Sequence, residues 1–275
     1  MTEKEDLRYI EKIEKTAGRA INRYSLIAGG DRVAVALSGG KDSLVLLETL
    51  ARRRRRLPVT YELFAVYVFI KNIGYESDIN FMREFCASLD VPFHLIEMEA
   101  DLTIDRSKSK CFVCSWHRRK ALFNFAEEMS CNKLALGHHL DDAIETLIMN
   151  MMFNGITSSL PPSLSMFSGR LHVIRPLILL EKKEIDKYAE IRVFPSEVKR
   201  CPYGEDTTRI KAREMIEQMT SGSSTIKKVY SAVCRIFTKS ICRLNKQGAA
   251  TPCLFRQPLA PVAKNQSGRL YPHPS

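Results

Sequence analysis

The chain has 275 residues, 45% hydrophobic and 27% charged, a globular composition that excludes a disordered tail or a fibre and supplies apolar material for one large core or two modest ones. Its longest apolar run, Leu63 to Ile70, falls far short of the roughly 18 residues of a membrane span. The acidic start Thr2-Glu3-Lys4-Glu5-Asp6 does not read as a signal peptide, so the expectation is a soluble cytoplasmic protein with no membrane partner. Eight cysteines, unevenly placed and without a secretory signal, fit metal binding or catalysis better than a disulfide framework. The net charge of +11 is concentrated, because residues 216–275 carry nine Lys/Arg and one acid. Such a stretch suits a polyanion such as nucleic acid, or else is a solvated tail with a basic bias.

Leu7, Ile10, Ile13, Ala17, Ala20, Ile21 and Tyr24 recur at helical spacing over residues 4–24 and stop at Gly29-Gly30-Asp31, which predicts an amphipathic helix. Val33 to Leu37 is an apolar run of strand length, followed by a Gly-bearing turn and the helical pattern Leu44, Leu47, Leu50, Ala51. The unit recurs: strands are expected at 63–68, 93–96 and 133–136, with helices at 78–89, 115–129 and 141–153. Alternating apolar strands and helices predict an α/β fold, an open doubly wound parallel sheet with ligands at the carboxyl ends of its strands. A Ser/Pro-rich loop over 157–168, a strand near 172–174 and helices at 182–190 and 207–219 complete the pattern. Beyond Asn245 the Gly, Pro, Gln and Ser content reads as poorly ordered. The expected division is a helical segment over 1–30, a main domain over 31–220 and a basic extension over 221–275.

Ser38-Gly39-Gly40-Lys41-Asp42-Ser43 follows the first strand and opens a helix. Its backbone N–H groups and the positive helix end would cradle phosphate oxygens, and the glycines allow close approach. The spacing is neither Walker A nor G-x-G-x-x-G, and the bland alternative is a plain glycine turn. Gly137-His138-His139-Leu140-Asp141-Asp142 begins a second strand-to-helix turn. There Asp141 and Asp142 either cap the helix or hold Mg²⁺, and Asp141 and Glu145 are expected to share a polar face. Core satisfaction is a rival reading for both histidines, and His138 is taken to line the site. Cys111 and Cys114 are expected just before a helix, with Lys108, Lys110, His117, Arg118 and Arg119 around them to favour thiolates. A C-x-x-C pair by itself leaves zinc, a redox disulfide, an iron-sulfur cluster and plain packing open. Cys86 and Cys131 read as packing residues. Helix dipole and solvation account for Arg52 to Arg56, with RNA contact as the minority reading.

The Ser38–Ser43 loop resembles the pyrophosphate loop of the N-type ATP pyrophosphatases, whose fold is adenine nucleotide alpha hydrolase-like. With Gly30-Asp31-Arg32-Val33, Cys111-Phe112-Val113-Cys114, Arg118-Arg119, Leu136 to Asp142, Glu145-Thr146, Pro161-Pro162, Ile174-Arg175-Pro176-Leu177 and Cys201, residues 15–220 resemble the tRNA 2-thiocytidine biosynthesis proteins of TtcA type. Some of that family carry a second C-x-x-C where this chain has Cys201-Pro202-Tyr203-Gly204, and relatives commonly place an acid where it has Phe69.

The resemblance implies ATP, Mg²⁺ and a [4Fe-4S] cluster, with tRNA and a sulfur donor such as a cysteine desulfurase as partners; a homodimer is left open. Ser38, Gly39, Gly40, Lys41, Asp42, Ser43, Gly137 and His138 would bind the nucleotide, and Lys41, Asp42, Asp141 and Arg118 would serve catalysis. Cys111, Cys114 and Cys201 would hold the cluster, since three thiolates leave one iron open whereas a structural zinc wants a fourth ligand. Asp141 and Asp142 are the candidates for Mg²⁺. ATP would adenylate the C2 oxygen of an anticodon-loop cytidine, and sulfur would replace it. A tRNA 2-thiouridine synthetase, a lysidine synthetase-like ligase and a non-enzymatic RNA-binding iron-sulfur protein are the rival readings. Deleting residues 222–275 should weaken tRNA binding and flatten the log-log salt dependence by roughly 0.7–0.9 for every phosphate that is no longer neutralised. An unchanged slope in a filter-binding titration would mean that the stretch is merely solvated.

Overall fold

The computed structural model describes residues 2–73, 77–101, 103, 110–195, 207–220, 262–264 and 270–272. Helix α1, Glu3–Tyr24, leads into strand β1, Arg32–Leu37, and helix α2, Lys41–Arg56. Strand β2, Glu62–Ile70, helix α3, Ile79–Ser88, strand β3, Phe93–Met98, and helix α4, Lys110–Glu128, follow. Strand β4, Lys133–Ala135, helix α5, Leu140–Asn154, and the paired strands β5, Ser163–Met166, and β6, Leu171–Ile174, complete the sheet. Helices α6, Lys182–Ile191, and α7, Thr207–Thr220, come next, then a short hairpin of β7, Val262–Lys264, and β8, Leu270–Pro272. No helix among the described residues is long and apolar enough to cross a membrane.

The six strands lie in the order β3-β2-β1-β4-β6-β5. The pairs β1–β2, β2–β3, β1–β4 and β4–β6 are parallel, as the apolar runs predict. The β5–β6 pair is antiparallel, so the doubly wound sheet carries one reversed edge strand inside the stretch expected to be a loop. That strand, Ser163-Leu164-Ser165-Met166, buries Leu164 alone, and its pairing with β6 rather than its own pattern makes it a strand.

Alternation along the strands splits the core into two layers. Val33, Val35, Leu37, Leu63, Ala65 and Tyr67 face α1, α2, α3 and α6. Ala34, Phe64, Val66, Val68, Leu134 and Val173 face α4. Because α1 places Ile10, Ile13, Ala17 and Ile21 in the first of these layers, it shares the core of the sheet domain.

Helix α2 is buried on every side from Ser43 to Ala51, so its charges must be paired. Glu48, 1% exposed, accepts from Arg52 at 3.2 Å and is paired at 2.8 Å with Arg192, the residue that caps the carboxyl end of α6. Glu14 of α1 takes Arg52 at 2.8 Å and also Arg56. Arg53 donates to Asn22 at 2.8 Å, and Arg54 to the Asp90 carbonyl at 2.8 Å. The arginine run is therefore a set of staples that fasten α1 and the end of α3 to α2, a use that dipole and solvation do not capture, while Glu48 takes the contact with Arg192 at the end of α6.

Glu48→Ala should lower stability by about 2–3 kcal/mol in a urea titration. That is less than a fully buried pair would lose, because Arg52 keeps Glu14 and Arg192 reaches solvent. Arg55→Ala, at an exposed position, should stay within about 0.5 kcal/mol.

Candidate functional site

The strand order reverses between β1 and β4, and in such a sheet the crevice beyond the carboxyl ends of those two strands is where ligands bind. The turn after β1 is the Ser38–Ser43 loop and the turn after β4 is the Gly137–Asp142 segment. Gly39 adopts φ +79°, and a Cβ there would overlap the Ser77 hydroxyl, so this position requires glycine. Inside the loop the Ser38 N–H donates to Ser43 Oγ at 3.1 Å, and Ser43 Oγ donates to the Gly40 carbonyl at 2.8 Å. Gly40, the N-cap of α2, brings no side-chain cap, whereas α3 is capped by Asp78 and α5 by His139. The first N–H groups of α2 are left for an anion, and the helix end is electropositive. Lys41 makes no hydrogen bond or ion pair among the described residues.

The two turns touch through their backbones. A Cβ on Gly137 would stand 3.1 Å from both atoms of the Asp42 carbonyl. Asp42 Oδ1 accepts from Lys182 Nζ at 2.7 Å, and the Lys182 backbone N–H donates to Asp141 Oδ2 at 2.7 Å. The first residue of α6 thereby ties the carboxylates of both turns together. Burial lowers the Lys182 pKa, but the hydrogen bond and charge of Asp42, with Asp186 adding, outweigh it and raise it overall. His139, 5% exposed, is the N-cap of α5. Its backbone N–H donates to Asp142 Oδ2 at 3.0 Å, its Nδ1 accepts from the Asp142 N–H at 3.4 Å, and its Nε2 lies 3.4 Å from Asp142 and 3.9 Å from Asp42. Capping is thus what His139 and Asp142 do in the resting protein, beside the crevice rather than away from it.

Beside the crevice His138 Nδ1 faces Arg175 Nε at 3.3 Å. Burial first, then the Arg175 charge, pushes the His138 pKa down to about 4, with Arg209 and His139 adding and Asp142 opposing. Burial likewise brings Arg175 down to about 10 against the pull of Asp142. Arg175 lies in the Ile174–Leu177 motif of the family resemblance but carries no predicted role in the site, and Lys182 does not stand out by local pattern. The available signal is a cation just past the carboxyl end of an apolar strand for Arg175, and a lysine opening the next helix for Lys182.

Glu145 does not share an open face with Asp141. It is 8% exposed and accepts from Arg213 at 2.7 and 3.3 Å, fastening α7 to α5. Ala212 of α7 completes the apolar contact with Ile144, Leu147 and Ile148.

Helix α4 starts at Lys110 rather than near 115, so Cys111 and Cys114 lie within its first turns and not ahead of them. By its parallel crossover α4 begins on the carboxyl side of the sheet. Cys111 is half-buried and Cys114 is buried among the second core layer. Arg118 and Arg119 follow on the same helix, and burial pulls the Arg119 pKa down. Two thiols three residues apart on one helix are two of the donors that a thiolate-bound metal group would need, and among the described residues no group of three or more His, Cys, Asp or Glu side chains is placed to hold a metal ion. Cys201 and Lys108 lie outside the described residues, as do Cys234, Cys242 and Cys253. Burial pushes the Cys86 thiol up to about 12 and the Cys131 thiol up to about 11, as expected of packing residues.

The glycine loop at the switch point, the uncapped helix end and the carboxylate turn beside it are the features of a PP-loop domain, and the model of that family matches residues 9–211. Within that class the chain is 36% identical over 233 residues to the tRNA-cytidine(32) 2-sulfurtransferase of Geobacter sulfurreducens, covering 82% of this chain and 88% of that one. It belongs to the tRNA-cytidine(32) 2-sulfurtransferase family. It is 42% identical over 189 residues to the enzyme of that name from Alkalilimnicola ehrlichii, covering 67% of this chain but 60% of the relative, less than two thirds of its length. Among solved structures, U34-tRNA thiolase NcsA from Methanococcus maripaludis, with its [4Fe-4S] cluster, matches with TM-score 0.68 over 86% of this chain and 80% of that one, at 23% identity. That likeness establishes the fold, and it agrees with the doubly wound sheet expected from the sequence.

The depressed pKa of His138 fixes a sign. Its folded-state value lies below the ordinary 6.5, so the stability contributed by the neutral form is complete above about pH 6.5 and is lost as pH falls toward 4. The urea midpoint should fall over that window by more in the wild type than in His138→Gln, and equal falls would show that His138 titrates normally.

Proposed function

We propose that this protein is an ATP-dependent tRNA sulfurtransferase that converts cytidine 32 of the anticodon loop to 2-thiocytidine. The observation that carries the reading is the contact of the Gly137 turn with the Asp42 backbone, because it sets an uncapped helix end beside three carboxylates and two histidines at the sheet's switch point. The α2 N–H groups and Lys41 hold the phosphates, with Ser38 and Ser43 shaping the loop. Asp42, Asp141 and Asp142 would supply hard oxygens for Mg²⁺. Gly137 and His138 line the nucleotide.

The C2 oxygen of the base attacks the α-phosphorus, and the bond to the bridging oxygen breaks with loss of pyrophosphate, whose charge Lys41 offsets. A sulfur nucleophile then adds at C2, and the C2–O bond breaks with AMP as the leaving group. Cys111, Cys114 and Cys201 would hold a [4Fe-4S] cluster that supplies an open iron to carry the sulfur. Arg118 steadies the base or its phosphate. An unpaired loop nucleotide enters such a pocket more cheaply than one inside a duplex. Residues 31–220 carry this chemistry, residues 1–30 the leading helix, and the basic stretch 221–275 meets the tRNA. A cysteine desulfurase-type donor, a cytoplasmic location and a homodimer complete the proposal.

The test is anaerobic incubation of unmodified tRNA with protein, ATP, Mg²⁺ and sulfide, followed by nucleoside mass spectrometry and a pyrophosphate assay. The expected product is 2-thiocytidine. A 2-thiouridine product would overturn the choice of base, and tRNA binding without pyrophosphate would overturn the reaction. Lys41→Ala and Asp42→Ala should each lose on the order of a hundredfold or more in pyrophosphate release while keeping the fold. Substituting Cys111, Cys114 or Cys201 should abolish thiolation, and Cys234→Ala should not.

A further inference from the structure

Arg175 stands immediately after β6 and is 3% exposed, yet no carboxylate lies within ion-pair distance of it among the described residues. A buried guanidinium without a carboxylate is costly, and its N–H groups must find other acceptors. Nη1 donates to the Pro161 carbonyl at 2.6 Å and Nε to His138 Nδ1 at 3.3 Å. The Arg175 backbone N–H donates to the Pro162 carbonyl at 2.8 Å, and the Leu136 N–H to the Ile174 carbonyl at 2.9 Å. The two prolines thus offer neighbouring carbonyls on a stiff backbone that competes with no N–H of its own, and they fix both the backbone and the side chain of Arg175.

Arginine in a protein keeps its proton, so Nε can only donate, and Nδ1 must meet it with a lone pair. We propose that Arg175 is a positioning residue of the nucleotide site: its donation to Nδ1 locks His138 in the neutral tautomer with the proton on Nε2, so that His138 meets its ligand as a hydrogen-bond donor and not as an acid or a base. The surrounding charges agree, since Arg175, Arg209 and His139 all oppose the imidazolium and Asp142 favours it. The donor role of His138 rests on the ATP-using reading above, whereas the tautomer does not.

The tautomer can be read on the full wild-type chain labelled with ¹⁵N-histidine, by long-range ¹⁵N–¹H correlation at pH 7 and 5.5. The His138 signals are identified by their loss in His138→Gln, among six histidines in all. An unprotonated Nδ1 with a protonated Nε2 at both pH values is expected. A proton on Nδ1, or an imidazolium at pH 5.5, would overturn the proposal even if no Arg175 variant folds.

In ATP-dependent pyrophosphate release, the Gln amide nitrogen can stand where Nε2 stood and the Asn nitrogen cannot. His138→Asn should therefore fall about tenfold or more below His138→Gln in kcat/KM. Arg175→Met should lose about tenfold in the wild-type background and less than about twofold more when added to His138→Gln. An equal loss in both backgrounds would mean that Arg175 touches the ligand itself. A wild-type protein that releases no pyrophosphate with tRNA would overturn the proposed function while leaving the tautomer to the spectrum.

Discussion

Gly137 has no side chain to hold the turn after β4 away from the Asp42 carbonyl, and a Cβ there would sit 3.1 Å from both of its atoms. This backbone contact brings the two turns of the switch point together, and the rest of the site is arranged around it. Parallel pairing of β1 with β4 aligns the strands so that their carboxyl ends meet at one edge. Lys182 then spans the same gap, its side chain on Asp42 and its backbone N–H on Asp141. Replacing Gly137 would force apart backbone atoms rather than the flexible end of a side chain. The site is therefore set by the sheet before any ligand arrives, which is the condition for preorganised phosphate stabilisation.

Much of this was legible in the sequence because the signals are local. A run such as Val33 to Leu37 has one comfortable place, inside a sheet covered on both faces, and the loop after it announces its backbone through its glycines. What was not legible depends on partners distant in sequence. Strand β5 exists because β6 lies beside it. The early start of α4 at Lys110 brings both cysteines into the helix, although Lys-Cys-Phe-Val-Cys has little helical pattern of its own. Arg52 to Arg56 could be explained well enough by the helix end, yet their partners Glu14, Asn22 and Asp90 come from two other helices or their ends. Glu145 read as a polar neighbour of Asp141 until Arg213, 68 residues on, is placed against it.

Arg175 and Lys182 are both cations at the same crevice, and burial separates their roles. The Lys182–Asp42 pair has its side chains 41% and 36% exposed. Pairs of that kind contribute about 1 kcal/mol or less, because water competes for both partners. An incoming phosphate can take Lys182, or a metal ion Asp42, at little loss. Arg175 has no such freedom. At 3% exposure its hydrogen bonds to Pro161 and His138 replace solvation that it cannot recover without opening the end of the sheet. A mobile cation suits a ligand that binds and leaves, whereas a fixed one suits a group whose geometry must be the same before and after. The division follows from depth alone: Lys182 reaches in from the first residue of an outer helix, and Arg175 projects from the end of an interior strand.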